Sequence, residues 1–150
     1  TGAGLNPWDT GRWSGGSSSG PGSAVGAGLV PFAIGSETWG SIMNPAGFCG
    51  ITGVRPTYGR VSRHGAMALS WTMDKLGPMG RTADDCGLVL AAIAGRDPAD
   101  ATSVERTLEW SGPPRLDSKP KIAVVDGCDQ HVQKAVRKNF RKSLEKLEKL

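Results

Sequence analysis

The sequence has few of the residues that build metal centres and disulfide frameworks. Its 150 residues include only two histidines and three cysteines, and no two cysteines form a C-x-x-C pair. Zinc sites and disulfide-stapled folds need such residues at short, repeated spacings. The pattern therefore predicts no bound metal, and it predicts reduced, mostly buried thiols at Cys49, Cys86 and Cys128.

Long apolar runs are also absent. No stretch approaches the roughly 20 apolar residues that a transmembrane helix needs, and the N-terminus lacks the charged-then-apolar pattern of a secretory signal. A hydrophobic fraction of 38% and a charged fraction of 21% are ordinary for one globular domain. We therefore expect a cytoplasmic protein with no membrane partner. Because the chain begins at Thr1 and stops inside the helical pattern SLEKLEKL, we also expect a piece of a longer protein.

The positive charge of the chain is local. The net charge is +4, and residues 129–150 account for it, with seven basic side chains against three acidic ones. This stretch has one aromatic residue, Phe140, which falls on the apolar stripe of a predicted helix. A nucleic-acid surface would combine basic and aromatic side chains, so a solvated helix face is the better interpretation.

Helical patterns occur in three places. Pro21 and Ser23 begin a short segment of small residues, which predicts a helix packed tightly against a sheet. Thr82 with Asp85 resembles a capping box, and Gly95 ends the apolar helix that follows it. A third, amphipathic helix is indicated by apolar residues that repeat every three or four positions, namely Val132, Val136, Phe140, Leu144 and Leu147.

Strand-like segments alternate with these helices. Residues 30–34 and 121–125 are predicted strands, and residues 50–54 form a further short apolar segment. Residues 6–16 are predicted to be an ordered loop, and residues 97–120 a polar surface excursion. The alternation predicts an α/β layer architecture.

The most informative stretch is GGSSSGPGSAVGAGLVPFAIGSETWGSI, which places Ser17 and Ser41 in separate glycine-rich turns. A serine hydroxyl becomes a nucleophile when it is exposed on a tight turn, beside a proton acceptor and facing backbone N–H groups. A flexible Gly/Ser linker is the alternative, but a linker would not continue into the apolar run over residues 24–34.

Other glycine and serine motifs fit less well. Ser18 is the middle residue of a G-x-S-x-G match, but the nucleophile elbow of that motif directly follows a strand, and no strand-like residues precede it. The glycines also miss the dinucleotide-binding spacing, and there is no G-K-[ST] for a phosphate loop. We therefore expect no nucleotide and no other cofactor.

The serine-rich stretch and the later segment NPAGFCGITGVRPTYGRVSRHG together resemble the amidase signature family. The resemblance runs over residues 6–99 and rests on the separation of the two serine turns, the P-[AS]-x-[FY]-C-G element and the RPTYGRVSR run. It implies an α/β/α sandwich with a mixed, twisted sheet covered by helices. Residues 1–150 would be part of one such domain, with residues 6–99 as its motif core, and with the excursion over 97–120 and a strand and helix over 121–150.

The family resemblance implies a Ser-Ser-Lys triad. By position, Ser41 corresponds to the nucleophile and Ser17 to the bridging serine, whose peptide bond with Gly16 is cis in the family. The backbone N–H groups of Thr38, Trp39, Gly40 and Ser41 correspond to the family's oxyanion hole. The family's lysine lies well upstream of Ser17, but none of the sixteen residues before Ser17 is lysine. We therefore expect that lysine to lie outside this chain, and we do not assign its role to Lys75.

The nucleophile loop departs from the family pattern D-[TS]-G-G-S-I-R. This chain has Glu37-Thr38-Trp39-Gly40-Ser41-Ile42-Met43. Trp39 retains its N–H but cannot adopt left-handed backbone angles without strain, so the loop must hold it in an ordinary conformation. Its indole is predicted to form a wall of the acyl pocket, and the alternative is packing under the loop.

These observations predict an amidase that hydrolyses a small-molecule carboxamide through an acyl-enzyme on Ser41. One alternative is the glutaminase subunit of a tRNA-dependent amidotransferase, in which nucleic acid would be involved only indirectly. A second alternative is a non-catalytic binding module that retains the fold. We expect the 150-residue chain alone to be inactive and poorly folded, because a core cut at both ends exposes apolar faces.

Overall fold

The computed structural model describes residues 2–106, 108–112 and 118–149. The chain divides into two compact units, Thr1–Pro113 and Pro114–Leu150. The first unit contains the two serine turns, five strands and three helices among its described residues, and the second contains one helix. The α/β class predicted from the sequence is confirmed.

The strands of the first unit form two sheets. β1 (Leu5–Asn6) and β2 (Asp9–Trp13) make a small antiparallel hairpin. β3 (Phe32–Glu37), β4 (Thr52–Gly53) and β5 (Lys75–Gly80) form a three-stranded sheet in the order β3-β5-β4. Both pairings in this sheet are antiparallel, and β5 is its central strand.

Three helices accompany this sheet. α1 (Ser19–Gly26) follows the first serine turn, and α2 (Met43–Cys49) follows the second. α3 (Ala83–Ile93) begins with the predicted capping box, in which Thr82 and Asp85 exchange side chain to backbone hydrogen bonds. This cap is confirmed, and it satisfies two of the amide groups that a helix N-terminus leaves unpaired.

The core of the first unit lies between α2 and the sheet. Ile42, Ala46 and Met79 are buried against one another, with Ile51 at their edge. Gly35 of β3 faces this core, and a Cβ atom there would lie 2.9 Å from atoms of Ile42, Met79 and Ser18. Only glycine therefore allows β3 to approach α2 so closely, and this approach brings the two serine turns together.

Several strand predictions need correction. The strand predicted over residues 30–34 begins at Phe32 and continues to Glu37, and only Thr52–Gly53 of the apolar segment 50–54 is a strand. The loop predicted over residues 6–16 is mostly the β1–β2 hairpin. Strand β5 was not predicted, because its sequence KLGPMG contains Pro78, and proline is rare in a central strand.

The second unit contains α4 (Lys134–Lys149), which confirms the predicted amphipathic helix. The strand predicted over residues 121–125 is wrong, since these residues are not in regular structure. A strand needs a neighbour to pair its backbone N–H and C=O groups, and the described part of this unit contains no strand. Ile122 and Val124 instead line a hollow together with Leu144 and Leu147 of the helix.

The remaining sequence predictions concern thiols, metals and membranes. All three cysteines are free; Cys49 and Cys86 are buried, whereas Cys128 is exposed. In the described ranges no group of three or more His, Cys, Asp or Glu side chains could hold a metal ion. No helix among those residues has the length and apolar character needed to cross a membrane. The excursion predicted over 97–120 falls partly on residues 107 and 113–117, which lie outside the described residues.

Candidate active site

The two serine turns are neighbours. The Gly16–Ser17 peptide bond is cis, which is the geometry that the sequence resemblance implied. The backbone N–H of Ser18 donates to the carbonyl oxygen of Ser41 at 3.1 Å. The N–H of Gly16 donates to the side-chain oxygen of Asn44 at 3.1 Å. The turn that contains Ser17 is thus bonded to both the loop and the helix at Ser41.

Ser18 has a structural position between these turns. Its hydroxyl donates to the carbonyl oxygen of Ser36 at 3.2 Å and accepts the N–H of Ser36 at 3.1 Å. The side chain is buried, and it lies at the start of α1 rather than at the end of a strand. A hydroxyl held in this way by the backbone of β3 is not an exposed nucleophile, so the G-x-S-x-G elbow is excluded as an explanation of the site.

Gly15 allows the first turn to lie against α2. It has φ of +80°, and a Cβ atom there would lie 2.6 Å from the Cα atom of Pro45. Both the left-handed backbone and the contact require glycine. The glycine at this position therefore sets how closely the Ser17 turn approaches the helix that follows Ser41.

Glu37 organises the nucleophile loop from inside. Its side chain is fully buried, and one carboxylate oxygen accepts the N–H groups of Ile42 at 2.8 Å and Met43 at 2.9 Å. The other oxygen lies 3.4 Å from the guanidinium of Arg55. Burial raises the pKa of Glu37, but the N–H groups of Met43, Ile42 and Gly40 together with Arg55 outweigh it and hold the pKa below its ordinary value. The loop is therefore folded around an ionised carboxylate.

The nucleophile loop has one left-handed residue, Gly40, with φ of +106°. Trp39 does not adopt a positive φ, which agrees with the expectation that an ordinary residue must be tolerated there. The Trp39 side chain is 88% exposed, so it does not pack under the loop. Ser41 is half-buried. The indole is free to contact a ligand above the loop.

Thr38 is held from the neighbouring strand. Its hydroxyl donates to a carboxylate oxygen of Asp74 at 2.5 Å. Its carbonyl oxygen accepts from the ammonium of Lys75 at 3.3 Å, and that ammonium also contacts the carbonyl oxygen of Met73. Lys75 therefore supports the backbone of the nucleophile loop, which agrees with the expectation that it is not the lysine of the triad.

Asp74 is itself a buried hub. Its second carboxylate oxygen accepts the N–H groups of Leu69 at 2.6 Å and Ser70 at 2.9 Å. The Thr38 hydroxyl is the main cause of the lowered pKa of Asp74; the N–H groups of Ser70 and Leu69 and the charge of Arg63 add to it, and burial opposes it. One ionised carboxylate thus joins the nucleophile loop to the segment over residues 66–73.

A cavity of about 420 Å³ opens beside Asp74. Ser36 and Leu76 line it from the sheet, and Met67 and Trp71 line it from residues 66–73. Trp71 is 77% exposed and Met67 98% exposed. Apolar walls beside a few polar groups are the usual construction of a small-molecule pocket.

Sequence reasoning missed four residues of this site: Ser18, Glu37, Asn44 and Asp74. They act on backbone groups or on other side chains, and no motif of a nucleophile or base includes them. A signal existed for both acids. Glu37 and Asp74 are isolated acidic residues next to apolar strand segments, where an unpaired charge would be costly.

Comparison with known proteins agrees with this geometry. The family model named Amidase matches residues 1–150. A glutamyl-tRNA(Gln) amidotransferase subunit of Chromohalobacter salexigens is 51% identical over 145 residues, which are 91% of this chain but 29% of that protein. The chain therefore spans less than a third of the length of this relative.

Solved structures show the same likeness. The crystal structure of the corresponding amidotransferase subunit of Thermotoga maritima superposes with a TM-score of 0.67 at 48% identity, over 69% of this chain and 23% of that one. The native peptide amidase of Stenotrophomonas maltophilia gives a TM-score of 0.65 at 44% identity, over 75% of this chain and 22% of that one. The fold and the paired serine turns define a segment of an amidase-type enzyme. The chain belongs to the amidase signature family.

Proposed function

We propose that the protein carrying this segment hydrolyses a carboxamide through an acyl-enzyme intermediate on Ser41. The observation that carries the proposal is the pairing of the Ser17 turn with the nucleophile loop through the Ser18 to Ser41 backbone hydrogen bond. Membership of the amidase family supports it. A small-molecule amide is the proposed substrate.

The proposed reaction has two halves. Ser41 Oγ bonds to the carbonyl carbon, its proton passes to Ser17 Oγ, and the proton of Ser17 passes to a neutral lysine. When the C–N bond breaks, a proton returns along the same path to the leaving nitrogen. Water then adds to the acyl ester on Ser41, releases the carboxylic acid and restores the serine. The lysine would come from residues that precede Thr1, as the resemblance implies.

The developing oxyanion would be held by backbone N–H groups of Thr38, Trp39, Gly40 and Ser41. A fixed donor of this kind lowers the barrier by about 3 to 4 kcal/mol in well-studied hydrolases. In this chain the loop is preorganised by two buried carboxylates, Glu37 from below and Asp74 through Thr38. Preorganised donors cost no rearrangement during the reaction, so these acids support the proposal.

The second candidate is a glutaminase subunit of a tRNA-dependent amidotransferase. The names of relatives at 51% and 48% identity favour it. In that case the same Ser41 chemistry would release ammonia from glutamine for use by partner subunits. The departures Trp39 and Met43 from the family's nucleophile loop favour the free amidase.

Activity of the full-length protein alone separates these candidates. We expect ammonia release from simple amides such as acetamide and benzamide without any partner. Ammonia release only from glutamine, and only with partner subunits and charged tRNA present, would support the amidotransferase. A fluorophosphonate probe should label wild type at Ser41, and labelling that survives Ser41→Ala would overturn the assignment of the nucleophile.

A third candidate, the non-catalytic binding module, predicts no labelling and no hydrolysis by the full-length protein. It also predicts that no lysine lies upstream of Ser17 at the family's distance. The isolated 150-residue chain is proposed to be inactive in every case, so it cannot replace the full-length protein in these assays.

A further inference from the structure

The pairing of β3 with β5 determines which residues meet beyond the sheet. The antiparallel register pairs Phe32 with Gly80 at one end and Glu37 with Lys75 at the other. One step further, the same register places Thr38 opposite Asp74, where the 2.5 Å hydrogen bond is found. Side chains directly opposite in antiparallel strands lie on the same face. The contact is therefore fixed by the sheet and not by a flexible loop.

The two faces of this ladder have different surroundings. Gly35 and Glu37 point to the core beside Ile42, whereas Ser36 and Leu76 point to the cavity. Since side chains alternate along a strand, Thr38 and Asp74 belong to the cavity face. Asp74 also lines the cavity, and it holds Leu69 and Ser70 at the end of the segment that carries Met67.

We infer that Asp74 is a positioning residue that fixes the oxyanion loop through the Thr38 hydroxyl and links that loop to the wall of the cavity. Its carboxylate has one oxygen for each task, the first on Thr38 and the second on the backbone of Leu69 and Ser70. Lys75 fixes the carbonyl of the same threonine from the same strand. Thr38 is thereby held at two points at the start of the proposed oxyanion hole.

The consequence concerns turnover rather than binding. Thr38 and the three residues after it are proposed to supply the N–H groups that face the developing oxyanion. A small displacement of such donors weakens transition-state stabilisation more than ground-state binding. This inference rests on the proposed amide hydrolysis, and it adds residues that the proposed triad and hole do not include.

The test uses the full-length protein and two readouts, namely the rate at which a fluorophosphonate labels Ser41 and kcat with KM for the amide that wild type hydrolyses. Thr38→Val keeps the shape of the side chain but removes the hydroxyl. We expect it to slow labelling and kcat by about 10- to 100-fold, with KM changed by less than about threefold, as for a misplaced catalytic group. Thr38→Ser keeps the hydroxyl and should restore both rates to within about threefold of wild type.

Asp74→Asn completes a double-mutant cycle. It should lower kcat as Thr38→Val does, and the two changes together should be no worse than either alone, because both break one hydrogen bond. Ser62→Ala is the matched control, since it removes a 2.6 Å hydroxyl–carboxylate bond to Asp97 that lies outside the cavity lining. This control should leave kcat within about twofold of wild type.

The outcomes are separable. Equal labelling of wild type and Thr38→Val, equal slowing by Thr38→Val and Thr38→Ser, or additive effects in the cycle would each overturn the role of Asp74. If Asp74→Asn does not fold, the comparison of Thr38→Val with Thr38→Ser decides the inference alone. Absence of both labelling and hydrolysis in wild type would instead reject the proposed function.

Discussion

The two serine turns are held in place by different kinds of group. The turn at Ser17 is fixed by neutral partners, since the Ser18 hydroxyl and the Asn44 amide bond to backbone groups. The loop at Ser41 is fixed by charge, since Glu37 and Asp74 are buried carboxylates that accept from the loop. Hydrogen bonds to charged groups are the stronger kind, and they depend on pH. The nucleophile loop is thus the more rigidly specified of the two, and the more sensitive to acid.

Removing either serine hydroxyl gives the largest expected effect. Ser41→Ala should lower kcat of the full-length protein by about 10,000-fold or more, because the attacking atom is lost. Ser17→Ala should cost about 100- to 10,000-fold, the usual contribution of a proton relay. Initial rates of ammonia release measure both. Similar rates for Ser17→Ala and wild type would remove Ser17 from the mechanism.

Neutralising the buried acid below the nucleophile loop comes next. Glu37→Gln keeps the shape but loses the charge that accepts from Ile42 and Met43. We expect unfolding free energy to fall by about 1 to 3 kcal/mol at neutral pH, the usual range for charge-assisted hydrogen bonds. Denaturant unfolding measures the loss. Asp9→Asn is the matched control, because Asp9 pairs with Arg12 at an exposed site, and it should change stability much less.

Lowering the pH sharpens the same comparison. The pKa of Glu37 is depressed by folding from its ordinary value of 4.5. The stability that Glu37 contributes is therefore present above pH 4.5 and is lost as pH falls through its folded pKa. The difference between wild type and Glu37→Gln should accordingly shrink as the pH falls below 4.5. A difference that stays constant in acid would show that the charge of Glu37 does not matter.

Ser18→Ala tests the neutral turn. It leaves the buried N–H and C=O groups of Ser36 without the hydroxyl that now pairs with both. Unfolding free energy should fall by about 1 to 3 kcal/mol, the cost of unsatisfied buried groups. In contrast to Glu37→Gln, this loss should stay the same between neutral and acidic pH. Ser23→Ala is a control of the same chemistry, because its hydroxyl contacts only the carbonyl oxygen of Leu5 at an exposed site.

The smallest effect is expected for Trp39→Ala. The indole is 88% exposed, so its removal should change unfolding free energy by less than about 0.5 kcal/mol. If it forms a wall of the acyl pocket, KM for an aromatic amide should rise by up to about 10-fold relative to acetamide. Leu29→Ala, at another exposed apolar residue, should leave both KM values unchanged. Equal KM changes for the two amides would show that the indole contacts no acyl group.

The sequence predicted what depends on local pattern. The capping box at Thr82 and the amphipathic helix α4 follow from residue spacing alone, and both are present. The resemblance supplied the cis bond before Ser17. Its assignments to Ser41 and to the oxyanion hole remain predictions.

Features that depend on distant partners were not predictable. Strand β5 contains a proline and two glycines, and it is recognisable only once β3 and β4 lie on either side of it. Asp74 is one isolated acid in the sequence, and its role follows from the register that places it opposite Thr38. In the opposite sense, residues 121–125 have strand composition but no strand to pair with among the described residues of their unit.

The register between β3 and β5 also has an evolutionary consequence. The residues between Thr38 and Asp74 form one excursion whose two ends are joined by a hydrogen bond. Insertions or deletions within this excursion can change the shape of the cavity without altering which residues meet at its base. A single inserted residue inside β3 or β5 would turn Thr38 or Asp74 to the opposite face and separate them. Substrate range is therefore free to diverge by changes in loop length, while the spacing within the two strands is not.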